Sequence, residues 1–201
     1  MIQLNAALII LAAGRSLRMG TPKGLLDAGG MPLIEKQITE FRAGGGRDIV
    51  VVTAPDPEPY SALISARSAF RAINLMPELG QFSSLLVGIA AAQGLSSDDL
   101  GVFVLPVDVP PPRAATWQAL LADRTKHAAI PVAPDGRGGH PVWLSAVFCK
   151  LLQSIAPTSP EARLDRQIRH LPLHCVANVR VMDPAIMIDL DTPEDYAAWR
   201  N

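Results

Sequence analysis

The feature that most narrows the fold is an apolar run near the amino terminus, "ALIILAA", Ala7 to Ala13, with no polar residue at alternate positions. A strand with one face in water alternates polar and apolar residues. One that does not alternate is buried on both faces, as in a parallel sheet covered by helices on each side. Similar runs recur as "DIVVVTA" and "GVFVLPVD", separated by helix-length stretches. "PLIEKQITEFRAGGG" sets Leu33, Ile34, Ile38 and Phe41 at helical spacing, with Pro32 suited to a first turn and Gly44 to Gly46 able to end the helix. "YSALISARSAF" reads as a second helix with apolar Leu63, Ile64 and Phe70, "RAINL" as a short third strand, and "RAATWQALLAD" as a further helix. Ser83 or Ser84 is placed to cap a helix through "SLLVGIAAAQGL". Strands alternating with helices predict parallel strands joined by crossovers.

From His127 the alternation weakens. "HAAIPVA" predicts a strand, "DGRGGHPVWL" a glycine-rich loop, "AVFCKLLQSI" and "EARLDRQIRHL" helices, "HCVANV" and "AIMIDLD" two late strands, and "PEDYAAWR" a closing helix. The expectation is a three-layer α/β domain over residues 1–201: a mostly parallel central sheet, helices on both faces, and a small antiparallel C-terminal addition.

At 201 residues, 49% hydrophobic and 18% charged, the chain can bury one substantial core. A formal charge of -1 excludes a general attraction to nucleic acid or anionic lipid, so any anion site is local. The apolar start has no Lys or Arg before it and is far shorter than the ~20 residues that span a bilayer, which argues against a secretion signal or membrane anchor. Cys149 and Cys175 form neither a metal knuckle nor a CxxC pair. A reducing cytoplasm is the expected compartment. Trp117, Trp143 and Trp199 read as packing residues, and His127, His170 and His174 carry no assignment.

Three polar clusters follow predicted strands, where ligands bind in open parallel sheets. In "LAAGRSLRMGTPKGLL", Gly14 and Gly20 free backbone amides to face phosphate oxygens while Arg15, Arg18 and Lys23 add positive charge. Neither a Walker A nor a GxGxxG pattern is present, and a basic structural turn is the alternative. In "LPVDVP", Asp108 follows a buried run and is placed either to hold a hard divalent cation or to cap the helix behind "PPPR". In "IDLDTPEDY", Asp189 and Asp191 lie two apart, a spacing that on a strand sends both carboxylates to one side. They complete a metal site, or Asp191 or Thr192 is a helix N-cap; Glu194 and Asp195 read simply as acids at a positive helix end.

"LAAGRSLRMGTPKGLL", "VLPVDVP", "GGHPV" and "IDLDTPEDY", in this order and at these separations, resemble the molybdopterin nucleotidyltransferases, above all the molybdenum cofactor cytidylyltransferases. The similarity spans nearly the whole chain. It implies the Rossmann-like nucleotidyltransferase fold and transfer of a nucleoside monophosphate, CMP from CTP, onto the pterin phosphate of molybdenum cofactor, with GTP or ATP donors and sugar or polyol phosphate acceptors as rivals, or a non-catalytic nucleotide-binding module. "LAAG" and "GHPV" resemble the cytidylyl branch more than the guanylyl branch, which typically reads "LAGG". By the resemblance, Leu11, Ala12, Ala13 and Gly14 hold base and ribose, Arg15 and Ser16 the triphosphate, and Arg18 and Lys23 the charge building on the phosphates. Asp108 matches the Mg²⁺ aspartate, with Mn²⁺ as substitute, and Asp191 or Asp189 the second metal contact. Ser83 and Ser84 lie in the base-facing segment, and His140 faces the acceptor. A transient contact with a molybdoenzyme or its chaperone is also implied. Two departures stand out: "TSPEARLD" replaces a "GDxGAR"-like segment and keeps only Ala162 and Arg163, and Met31 replaces the lysine of "GKPL".

Overall fold

In the computed structural model, residues 3–14, 18–55, 59–95 and 100–200 are described. The first half alternates as the apolar runs require: β1 (Ala6–Leu11), α1 (Leu33–Ala43), β2 (Ile49–Thr53), α2 (Ser61–Ala66), β3 (Phe70–Ile73), α3 (Gln81–Leu95), β4 (Gly101–Pro106) and α4 (Ala114–Leu120). The second half holds β5 (Ala128–Val132), β6 (Val142–Leu144), α5 (Ala146–Gln153), α6 (Leu164–His170), β7 (Val176–Arg180) and α7 (Pro193–Arg200). All seven strands join one sheet in the order β3-β2-β1-β4-β6-β5-β7. β1 lies between β2 and β4, parallel to both, and every residue of β1 and β4 is buried.

Successive β1 side chains enter opposite cores. Leu8 and Ile10 join Ile34, Ile38, Phe41, Phe103 and Trp117 on one face, while Ile9 and Leu11 join Val52, Phe82, Leu85 and Ile89 on the other. Phe41, Phe103 and Trp117 meet edge to face, with centroids 5.0–6.0 Å apart, so Trp117 is a packing residue as expected. Helix α3 approaches the sheet closely at Gly88: a Cβ there would lie 2.4 Å from Ile9 Cγ2.

Several expectations are corrected. Phe70 is not on α2; that helix ends at Ala66 and Phe70 opens β3, where it is 46% exposed. Helix α3 begins at Gln81, so Ser83 and Ser84 sit inside its first turn rather than capping it. "PVWL", predicted as loop, carries β6, which is antiparallel to β4 and β5. The antiparallel element is therefore a short central strand, whereas β7 pairs parallel with β5 at the edge. "AIMIDLD" is not a strand; it is a 3-10 turn over Pro184–Met187 followed by irregular chain. Among the described residues, no helix is long and apolar enough to cross a membrane.

Candidate functional site

β1 and β4 are neighbours whose carboxyl ends coincide, since Leu11 is in register with Pro106. The loop after β1 and the turn after β4 therefore open side by side. A cleft of about 470 Å³ lies there, lined on one side by Leu11, Ala13, Gly14, Arg18 and Lys23 and on the other by Pro106, Val107 and Asp108. The N-terminal glycine loop and the strand-end carboxylate thus face each other across one crevice. Gly20 has φ +64°, the left-handed region that glycine enters without steric cost, so the basic loop turns back on itself between Arg18 and Lys23. Arg15 and Ser16 lie outside the described residues.

Lys23 follows Pro22 into a short 3-10 turn that carries its side chain inward, leaving the residue 9% exposed. Its Nζ donates to Asp108 Oδ2 at 2.8 Å and to Asp191 Oδ1 at 2.5 Å. Arg18 pairs with Asp191 Oδ2 at 3.0 Å. Burial opposes the charge on Lys23, but the hydrogen bonds it donates to the two carboxylates, and their negative charges, outweigh it, and its pKa stands above the usual lysine value. The hydrogen bond from Lys23, aided by Lys23 and Arg18 charge and opposed by partial burial, holds Asp191 below the usual carboxylate range. Asp189 moves the other way: crowding of its carboxylate by protein atoms comes first, then the negative charges of Asp108 and Asp191.

One carboxylate oxygen from each of Asp108, Asp189 and Asp191 lies within 4.8 Å of the others. The spacing of Asp189 and Asp191 was to act through a strand; the residues converge without one. Their segment is stapled at three points instead. Asp183, 6% exposed, accepts from Arg113 N and Thr116 Oγ1 at 2.7 Å each and from Ala185 N at 3.2 Å. Ile186 O accepts from His140 N at 3.0 Å, and Leu190 N donates to Asp108 O at 2.9 Å. Asp183 went unnoticed in the sequence because nothing local marks an aspartate whose partners lie about seventy residues away.

The capping alternatives resolve separately. Thr192 and Asp195 cap α7 reciprocally, with Asp195 Oδ2 accepting from Thr192 N and Oγ1 and Asp195 N donating to Thr192 Oγ1. Asp191 is left to face Lys23 and Arg18. Asp108 makes its side-chain contact with Lys23, and the α4 end is served by Asp183. Three hard carboxylates in this arrangement are a donor set suited to Mg²⁺ or Mn²⁺.

The serines are engaged. Asn74 Nδ2 donates to Ser83 Oγ at 2.9 Å and Ser84 Oγ at 3.0 Å, and Ser83 Oγ donates to Gly80 O at 2.7 Å. Ser84 still lines the cleft, beside Gly80 and Gln81; Ser83 does not line it. Ala12 is buried in the core beneath it.

A second cleft of about 780 Å³ adjoins the first, sharing Leu11, Gly80, Gln81 and Pro106. Phe82, Val104, Val142 and Ile168 give it an apolar floor, and His140, Arg163, Asp165 and Arg169 supply polar groups. Asp165 accepts from Arg163 Nε at 3.0 Å and Arg169 at 2.5 Å, so Arg163 and Asp165 of "TSPEARLD" form an Arg-Asp-Arg chain with Arg169 on this cleft. His140 is half-buried rather than turned to solvent, and its Nδ1 has no hydrogen-bond partner among the described residues. Burial lowers its pKa and favours the neutral ring, opposed by Asp108 charge and a hydrogen bond to the Val104 backbone.

Comparison with known proteins bears on the family and the fold. Residues 8–176 match the MobA-like NTP transferase domain. A "Probable molybdenum cofactor guanylyltransferase" of Trichormus variabilis is 29% identical over 96% of this chain and 89% of its own. A "Molybdenum cofactor guanylyltransferase" of Xanthomonas euvesicatoria is 30% identical over 94% of this chain and 91% of its own. Among solved structures, a nucleotidyl transferase from Methanothermobacter superposes with TM-score 0.78 at 19% identity, covering 97% of this chain and 95% of that one. Rv0371C of Mycobacterium tuberculosis, in complex with manganese, superposes with TM-score 0.68 at 18% identity, covering 96% and 97%. These two likenesses speak for the fold. The sequence match over most of its length shows that the chain belongs to the MobA-like NTP transferase family.

Proposed function

We propose that the protein transfers a nucleoside monophosphate from CTP to the terminal phosphate of a pterin acceptor of the molybdenum cofactor type, releasing pyrophosphate, in a reaction that requires Mg²⁺ or Mn²⁺. The observation that carries this reading is the cleft that Arg18, Lys23 and Asp108 line together, with carboxylate oxygens of Asp189 and Asp191 within 4.8 Å of that of Asp108 and a second, apolar-floored cleft adjoining. The donor is read from "LAAG" and "GHPV", which resemble the cytidylyl branch. A GTP donor is the second reading, favoured by the names of the two relatives above, both guanylyltransferases.

The acceptor's phosphate oxygen attacks the α-phosphorus, the bond to the β-phosphate oxygen breaks, and pyrophosphate leaves with the electron pair. An ionised phosphate monoester is already a nucleophile, so no general base is needed. The work left to the protein is alignment and relief of crowded negative charge. The loop from Leu11 through Gly14 offers backbone to base and ribose, with Ser84 on the opposite wall. Arg15 and Ser16 are assigned to the triphosphate by the family pattern. Arg18 and Lys23 supply the positive charge that meets the phosphates. Asp108 and Asp191, with Asp189 alongside, would hold the divalent cation, which when bound neutralises phosphate charge and polarises the reacting phosphoryl group. Neutral His140, beside the second cleft and electrostatically in reach of Asp108, meets the acceptor without adding charge.

Pyrophosphate release measured with each of CTP, GTP, ATP and UTP, in the presence of molybdopterin and Mg²⁺, tests the reading. CTP is expected to support the fastest turnover. Preference for GTP selects the second reading, and no release with any nucleotide rejects transfer altogether. We further propose one domain acting in the cytoplasm, with the product handed on to a molybdoenzyme or its chaperone.

A further inference from the structure

Gln37 lies on the inward side of α1 with 0% exposure, among the fully buried Ile34, Ile38 and Phe41. Its Nε2 donates to Pro106 O at 3.0 Å and to Val109 O at 2.7 Å. Those carbonyls bracket Val107 and Asp108, and Pro106 O also accepts from Val109 N at 3.2 Å, closing the turn. Gln37 Oε1 has no hydrogen-bond partner among the described residues. The orientation of the amide is fixed by its neighbours, since reversing it would set Oε1 against two carbonyl oxygens.

A buried amide with an unmet acceptor is a liability, and an apolar side chain of similar size would remove it only by taking from the carbonyl of buried Val109 the donor it has in Gln37. Leucine or methionine at this position would keep the packing of α1 against the sheet. Neither could donate two hydrogen bonds to the carbonyls on either side of Asp108. What the amide supplies and an apolar residue cannot is a bond to the backbone on each side of Asp108, which fixes geometry at the site.

We propose that Gln37 is a positioning residue that sets the Asp108 carboxylate beside Asp189 and Asp191 by bridging the backbone on both sides of it. The proposal rests on the reading of Asp108 as a carboxylate that holds the divalent cation. The Leu190 N to Asp108 O bond at 2.9 Å carries the same turn across to the segment of Asp189 and Asp191, so a shift of the turn displaces one part of the donor set against the rest. Partners that hold metal carboxylates in place typically matter by 10–100-fold in metal affinity.

Mn²⁺ binding to the full chain, followed by the electron paramagnetic resonance signal of the free aqueous ion, tests this with wild type, Gln37→Leu, Gln37→Met and Asp108→Asn. Gln37→Leu is expected to raise the Mn²⁺ dissociation constant of the folded protein about 10- to 100-fold, whatever the accompanying change in melting temperature. A residue with only a structural role would lower the melting temperature and leave the affinity of the folded fraction unchanged. Gln37→Met carries the same test if Gln37→Leu does not fold. Wild-type affinity in the folded Gln37 variants, with weakened binding in Asp108→Asn, overturns the proposal alone. Wild-type affinity in Asp108→Asn overturns the metal reading of Asp108 and the proposal with it.

Discussion

Asp108 is half-buried in a turn, where its carboxylate bonds Lys23 and lies within 4.8 Å of those of Asp189 and Asp191. Asp108→Ala is therefore expected to reduce pyrophosphate release at least ~100-fold, the scale of losing a preorganised charge contact, with an unchanged circular dichroism spectrum. His140 gives a pH signature. Its pKa is lowered in the folded state, so on acidification the unfolded chain takes up a proton near pH 6.5 that the native ring refuses. Stability from this residue is intact above about pH 6.5 and falls below it, with a slope of at most about 1.4 kcal/mol per pH unit. Urea titrations between pH 7.5 and 5 are expected to show a shallower decline in His140→Gln than in wild type. The cysteines separate by burial: Cys149 is enclosed and its thiol pushed up to about 12, while Cys175 is half-exposed. Iodoacetamide at pH 8 is expected to modify Cys175 in the native protein and Cys149 only after unfolding. At this scale the charged motif residues were legible because residue type and spacing state their chemistry. Gln37 and Asp183 were not, since a buried amide and a distant carboxylate acquire meaning only from the backbone groups they meet.

Among elements, the segment from Asp183 to Asp191 shows how far the pattern of a sequence reaches. Two acids at alternate positions predict a strand with both carboxylates on one face; the structure brings them together on irregular chain, by bonds to α4, to His140 and to Asp108. Strand pairing leaves a periodic trace in sequence, but three separate staples leave none. β6 was hidden for a related reason, being only three residues long after a glycine-rich approach. The staples make a prediction. A Cβ at Gly139 would lie 2.0 Å from Ile186 O, a backbone atom that has to move. Gly139→Ala is expected to lower stability by about 1–3 kcal/mol in urea unfolding and to weaken Mn²⁺ binding as the acids shift. Wild-type Mn²⁺ affinity in a destabilised Gly139→Ala would contradict this, because one displacement is to cause both.

For the whole molecule, the parallel strands β1, β2 and β4 and their covering helices followed from continuous apolar runs, which only a sheet buried on both faces explains. Strand order did not follow, since β6 enters between β4 and β5 although β5 precedes it in the chain. Putting β1 beside β4 is what turns two separate motifs into one cleft, and no local feature of either announces the other. The direct test of that union is the melting temperature of wild type and Asp108→Ala with CTP, with and without Mg²⁺. Binding to the folded form alone, at about a hundred times the dissociation constant, stabilises by about 2.7 kcal/mol. With CTP and Mg²⁺, wild type is expected to show a rise of several degrees that is lost on chelation and in Asp108→Ala. An equal rise in both proteins, with or without the cation, would contradict it.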